Sequence, residues 1–148
     1  MISGEFLKII IDADACPVVD VTVNTAKERG IECIIVCDNT HSIEKDGAKT
    51  IIVDKGADSA DCQIANLTKK GDVIVTQDYG LAALVLGKGG KAINQNGLIY
   101  TDTNIENLLF TRFIGKKERM SGNRTKGPKK RTKANDADFL KALVLCIE

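Results

Sequence analysis

Aspartates fall at three points of this 148-residue chain where side chains from distant segments could meet. Asp12 and Asp14 follow the aliphatic run Leu7–Ile11. Asp58 and Asp61 stand three apart, a spacing that puts both on one face of a helix. Asp78 follows the run Val73–Thr76. Grouped carboxylates repel one another, and a hard divalent cation such as Mg²⁺ or Mn²⁺, which prefers oxygen ligands, removes that cost. Such ions activate a water and neutralise the charge that develops on a phosphodiester during hydrolysis. This chemistry needs no imidazole or thiol, which suits a chain with a single histidine, His41.

Each acid also has a simpler reading. Asp14 is placed to cap a helix beginning near Pro17, and Asp58 to cap a helix of its own. Asp61, in a first helical turn, is favoured there by the helix dipole alone. Asp12 and Asp78 each close an apolar strand at the end where α/β proteins build their sites, so the functional reading is strongest for these two. Thr76 and Gln77 either orient ligands or mark a plain strand end. The five cysteines, Cys16, Cys33, Cys37, Cys62 and Cys146, form no Cys-x-x-Cys pair. They read as reduced thiols rather than zinc ligands or disulfides, as expected of a cytoplasmic protein.

A second feature answers the first. The net charge of +1 hides a division, because the stretch from Arg112 to Lys133 holds ten of the 21 basic residues and one of the 20 acids, Glu118. That stretch carries +9 and the rest of the chain −8. Its cations are Arg112, Lys116, Lys117, Arg119, Arg124, Lys126, Lys129, Lys130, Arg131 and Lys133. They would bind a polyanion by counterion release, and a nucleic acid, RNA first, is the expected partner. Few aromatics are interleaved, so base stacking is not indicated there. No apolar, Trp-bearing face points to a membrane surface. The alternative is a solvated linker.

The elements that must position these residues follow from the apolar pattern. Apolar runs at Leu7–Asp12, Ile31–Cys37, Thr50–Val53, Asp72–Thr76 and Lys91–Ile93 read as strands, the first of them buried on both faces as in a parallel sheet. Helices are expected over Val18–Arg29, ended by Gly30 as a C′ residue, and over Asp58 to about Lys70. Others are expected over Tyr79–Leu86, from Thr103 with Glu106 completing a capping box, and over Asp136–Ile147. The alternation predicts a doubly wound, three-layer α/β fold: a mostly parallel sheet of four to five strands flanked by helices. One domain over residues 7–148 is expected, with a mobile basic loop at about 120–134. With aromatics at 4% and no tryptophan, the core must be aliphatic. The start carries no signal-peptide pattern and no apolar run reaches the length of a membrane span.

The run Ile11-Asp-Ala-Asp-Ala-Cys-Pro17 has company further along the chain. Gly56-Ala-Asp-Ser-Ala-Asp61, Val75-Thr-Gln-Asp78 with Leu81-Ala82, Asn94-Gln-Asn-Gly97 with Tyr100-Thr101, and Thr125-Lys-Gly-Pro128 follow in order. Together they resemble the YaiI/YqxD family of bacterial proteins, from about Leu7 to the C-terminus. That family looks like a distant member of the PIN-like nucleases, which place three or four acids around Mg²⁺ or Mn²⁺. The resemblance implies a PIN-like fold, Asp12 as central ligand, Asp61 and Asp78 as partners, and Asp14 or Asp58 assisting. A metal-dependent nuclease acting on RNA or single-stranded nucleic acid is therefore expected. Ile10-Ile-Asp-Ala-Asp14 also resembles the Asp-x-Asp signature of haloacid-dehalogenase-like phosphatases, where one aspartate is a nucleophile. That reading lacks a cap domain and a clear lysine. A receiver-like domain would leave Asp61 and Asp78 unused. A non-catalytic RNA-binding protein would make the acids structural and leave binding to the basic segment.

Overall fold

The aliphatic runs become the middle layer of the molecule. The computed structural model describes residues 7–14, 16–39, 43–54, 59–120 and 130–148. Strands β1 (Lys8–Asp12), β2 (Glu32–Asp38), β3 (Lys49–Val53), β4 (Val73–Val75) and β5 (Lys91–Ile93) form one sheet. Every pair in it is parallel, in the order β3-β2-β1-β4-β5. Helices α1 (Val19–Arg29), α2 (Ser59–Leu67), α3 (Tyr79–Gly87), α4 (Asp102–Met120) and α5 (Lys133–Ile147) complete the described elements.

Side chains alternate across a strand, so β1 supplies both cores at once. Ile9 and Ile11 pack with Val19, Val23 and Ala26 of α1 and with Phe139, Leu143 and Cys146 of α5. Ile10 points the other way, to Ile64 of α2, Leu81, Ala82 and Val85 of α3, and Ile105 of α4. This is the expected three-layer α/β arrangement. All three isoleucines are fully buried, and each contributes roughly 1.5–3 kcal/mol by leaving water. The aliphatic core was expected, and among the described residues Tyr100 and Phe139 are the aromatic side chains fully buried in it.

At the amino end of the sheet, Lys8 and the buried Asp72 form an ion pair at 2.5 Å, and the Lys8 and Lys69 amides also donate to the Asp72 carboxylate. The charge is fully engaged there, so this acid is structural. Gly30 ends α1 in the left-handed conformation at φ 66°, its amide reaching the Ala26 and Lys27 carbonyls, as its position in the sequence predicts.

Helix starts differ from expectation for local reasons. The capping pair of α4 is Thr101 with Asn104, not Thr103 with Glu106. The Asn104 amide donates to Thr101 Oγ1 at 3.1 Å and the Thr101 amide to Asn104 Oδ1 at 2.8 Å. The pattern was present two residues earlier, with Asn in place of Glu. Likewise Thr132 and Asn135 form a capping box that starts α5 at Lys133, ahead of the expected Asp136. Helix α4 also runs to Met120, so Arg112, Lys116, Lys117 and Arg119 lie on a helix. Residues 121–129, most of the expected mobile loop, lie outside the described residues. No helix among the described residues is long and apolar enough to cross a membrane.

Candidate functional site

From β1 the chain steps outward to β2 and β3, then returns to the other side of β1 to make β4 and β5. The order therefore reverses between β1 and β4, and the crevice beyond their carboxyl ends is where open α/β sheets bind ligands. Asp12 is the last residue of β1, and Thr76–Asp78 leave β4 beside it. Both strand ends are pinned one residue further on. The Ala13 amide donates to the Val36 carbonyl and the Thr76 amide to the Ile93 carbonyl, each at 3.0 Å.

The buried Thr76 hydroxyl ties the two strand ends together. It donates to Asp12 Oδ2 at 2.8 Å and accepts from the Asp78 amide at 3.0 Å. The Tyr100 hydroxyl donates to the Thr76 carbonyl at 3.2 Å, and the Tyr100 ring meets Tyr79 edge to face at 6.1 Å. Asp78 in turn caps α3, its Oδ1 accepting from the Leu81 amide at 3.1 Å. The cap expected of Asp14 is not made, and the cap weighed for Asp58 lies outside the described residues. Asp14 is exposed in the turn closed by the Cys16 amide on the Ala13 carbonyl, and α1 has Val18 at its N-cap with no side-chain cap.

Charge is costly here. Burial pushes the Asp12 carboxyl above its usual range, the Thr76 hydrogen bond pulls it back, and the like charges of Asp14 and Asp78 push it up again. Asp12, Asp14 and Asp78 therefore share one field. Asp61 does not act on Asp12 in this way; it meets the group through Asp78, with which it lines a cavity between α2 and α3. Burial also raises the Cys16 thiol, Asp12 adds to that, and the Arg131 guanidinium opposes it, so a cation belongs to this end of the sheet. Arg131 is held in place: its Nε donates to Asp136 Oδ1 at 2.8 Å, Nη1 to Asn96 Oδ1 and Nη2 to the Gln95 carbonyl, both at 2.7 Å.

The remaining sequence-derived residues divide cleanly. Asp58, Arg124, Lys126 and Lys129 lie outside the described residues. Lys130 and Lys133 are exposed at the start of α5. Tyr79 and Tyr100, the chain's two tyrosines, have no role in the sequence reading, although Tyr79 directly follows Asp78 and Tyr100 stands in a quoted motif. The α2–α3 cavity, with Asn66 and Leu84, depends on how two helices pack and had no local signature.

Asp12, Asp78 and Asp61 offer hard oxygen donors, the chemistry that suits Mg²⁺ or Mn²⁺. Among the described residues, no group of three carboxylate, thiol or imidazole side chains is placed to hold a metal ion by itself. Water and substrate phosphate would have to complete the shell of any Mg²⁺ held here, as they do where one or two carboxylates bind that ion.

What the fold and this crevice define is a parallel α/β protein with carboxylates converging at the strand-order reversal. The family model described as "Uncharacterized BCR, YaiI/YqxD family" matches residues 10–148. A UPF0178 protein of Ruminiclostridium cellulolyticum is 51% identical over 143 residues, covering 96% of this chain and 93% of the relative. A UPF0178 protein of Exiguobacterium sibiricum is 52% identical over 133 residues, covering 90% and 91%. The chain belongs to the YaiI/YqxD family. No solved structure matches it.

Proposed function

We propose that this protein is a Mg²⁺- or Mn²⁺-dependent nuclease that hydrolyses phosphodiester bonds in RNA or single-stranded nucleic acid. The observation that carries this reading is the meeting of Asp12 and Asp78 across the β1–β4 crevice, with Asp12 half-buried and held by Thr76. A protein gains nothing in stability from a carboxylate kept part-way out of water beside two like charges, so the arrangement favours a cation as its counterpart. The resemblance to PIN-like nucleases supports the same assignment.

Asp12 and Asp78 would hold the ion, with Asp61 and either Asp14 or Asp58 assisting. A bound ion would acidify a water and neutralise the charge growing on the phosphorus oxygens. The chain's own part is positional. Thr76 fixes one oxygen of Asp12 and the backbone of Asp78 with a single hydroxyl, so the two carboxylates keep their relation as substrate enters. Lys130 and Lys133, with the cations of α4, would draw the polyanion to an otherwise acidic body.

The test is cleavage of end-labelled RNA and single-stranded DNA with Mn²⁺ and with EDTA. Metal-dependent cleavage is expected, with Asp12→Asn and Asp78→Asn each lowering it by about 100-fold or more. Absence of cleavage at a sensitivity where an authentic nuclease scores, or cleavage undiminished by Asp12→Asn, overturns the proposal.

A further inference from the structure

The Asp61–Asp78 wall belongs to a cavity of about 550 Å³ whose other lining is Cys62, Ala65, Asn66, Gly80, Leu81 and Leu84. Its size and mixture fit the usual small-ligand site, roughly 300–1,000 Å³ with apolar walls and a few polar groups. Leu84 is 56% exposed at the end of this surface, unlike the buried Leu81 beside it. Asn66, exposed on α2, brings a donor and an acceptor in one plane. A Cβ at Gly80 would stand 3.2 Å from Asp78 Oδ1, so the glycine keeps that side of the carboxylate uncrowded.

We infer that this cavity is a nucleobase subsite, holding the base next to the phosphate that reaches Asp12 and Asp78. The inference rests on the nuclease reading and names what its site would grip. Without a bound ion, the Asp61 and Asp78 carboxylates that line the cavity repel a phosphate, so the phosphate group is not the part of a nucleotide that enters it. A neutral planar base suits it: its faces lie against Ala65, Leu81 and Leu84, and its edge meets the Asn66 amide. Unstacked bases of single-stranded RNA are read by hydrogen bonds at their edges, and here aliphatic side chains stand where aromatic rings more often stack. The basic segment supplies charge without base contacts, and the cavity supplies the complementary part.

Cys62 reports occupancy directly. It is the exposed cysteine among the five, with Cys16 half-buried and Cys33, Cys37 and Cys146 buried. Wild-type protein, without metal, is alkylated with iodoacetamide in the presence of adenosine, cytidine, ribose or inorganic phosphate, and modification of the Cys62 peptide is followed by mass. Nucleosides at about 5 mM, enough for a weak site, are expected to slow alkylation of Cys62 at least threefold. Ribose and phosphate are expected to leave the rate unchanged. Leu84→Glu, an exposed position, is expected to abolish protection, and Leu84→Met to retain it. If no nucleoside protects Cys62, or if ribose protects equally, the subsite is overturned. The readout is separate from turnover. Protection without metal-dependent cleavage keeps the subsite and removes the hydrolase, whereas cleavage without protection does the reverse.

Discussion

Asp12 sits where its charge is least welcome, and that fixes its response to substitution and to pH. Asp12→Asn removes the like-charge repulsion and the burial cost while leaving an oxygen to accept from Thr76. Without metal the variant is expected to melt higher, by about 2–4 °C for each kcal/mol relieved in a chain of this size. A fall in melting temperature would mark Asp12 as structural instead. The raised folded-state value sets the sign with pH. Between the ordinary value of 3.8 and the raised value, the folded protein binds more protons than the unfolded chain. Stability therefore falls as pH rises through that window. The advantage of Asp12→Asn should be full above the window and shrink as pH drops toward 3.8. A gain independent of pH would remove the electrostatic explanation.

Thr76 is the partner that makes Asp12 tolerable. Thr76→Val deletes the donor that lowers the Asp12 carboxyl, so its titration, followed by carbon-detected NMR, is expected to move to higher pH, and Thr76→Ser to restore it. Leaving the half-buried Asp12 carboxylate and the Asp78 amide without their hydroxyl should also cost roughly 1–3 kcal/mol in urea unfolding. An unmoved titration in Thr76→Val would show that the hydrogen bond does not matter to the acid. Asp12 was legible in the sequence because it ends an aliphatic strand. Thr76 was weighed there but not decided, since a buried hydroxyl acquires its partner only when β4 settles beside β1, 64 residues away in sequence.

Among the elements, β1, β2 and β4 were legible because each is an apolar run buried on both faces, whereas the edge strand β3 is only partly buried, with Ile52 51% exposed, and shows itself by its β-branched run alone. Helix starts were less so. The α5 start turned on Thr132 and Asn135, whose mutual hydrogen bonds compete with the more familiar Asp136. Thr132→Ala is expected to destabilise the protein by about 1 kcal/mol through loss of that cap, with Thr132→Ser nearly neutral, both read from chemical denaturation. Equal stability of all three forms would show that the first turn of α5 contributes nothing. Arg131 belongs to the same junction. Its guanidinium joins α5 to the Gln95–Asn96 turn, so a residue first grouped with solvated cations has a fixed place. Gly97, in the same turn at φ 89°, faces the Asp138 backbone so closely that a Cβ would stand 2.5 Å from its carbonyl oxygen. The turn and α5 thus meet backbone to backbone, a contact that Asn-Gln-Asn-Gly alone does not announce.

The whole molecule separates its charges, with −8 on the body and +9 on the stretch from Arg112 to Lys133. If the cations grip a single strand, log affinity for RNA should fall linearly with log salt. Each exposed lysine removed, Lys130→Ala or Lys133→Ala, should then flatten the slope by about 0.7. Arg131→Ala is expected to act differently, lowering stability and leaving the slope closer to wild type, because its nitrogens are already engaged within the protein. Equal slopes for all three variants and the wild type would count against an electrostatic arm.

The strand order has a kinetic consequence. β1 is the centre of the sheet, yet its two neighbours arrive at very different times during synthesis. Ile9 faces Cys33 on one side and Val73 on the other. One half of the ladder closes a short loop and the other a long one, and long closures are slow. Pulse-labelled refolding should therefore show β2 amides protected before those of β4. The crevice beyond Asp12 and Asp78 would then be among the last parts of the protein to exist, and a nascent chain arrested before residue 73 would carry one wall of it without the other.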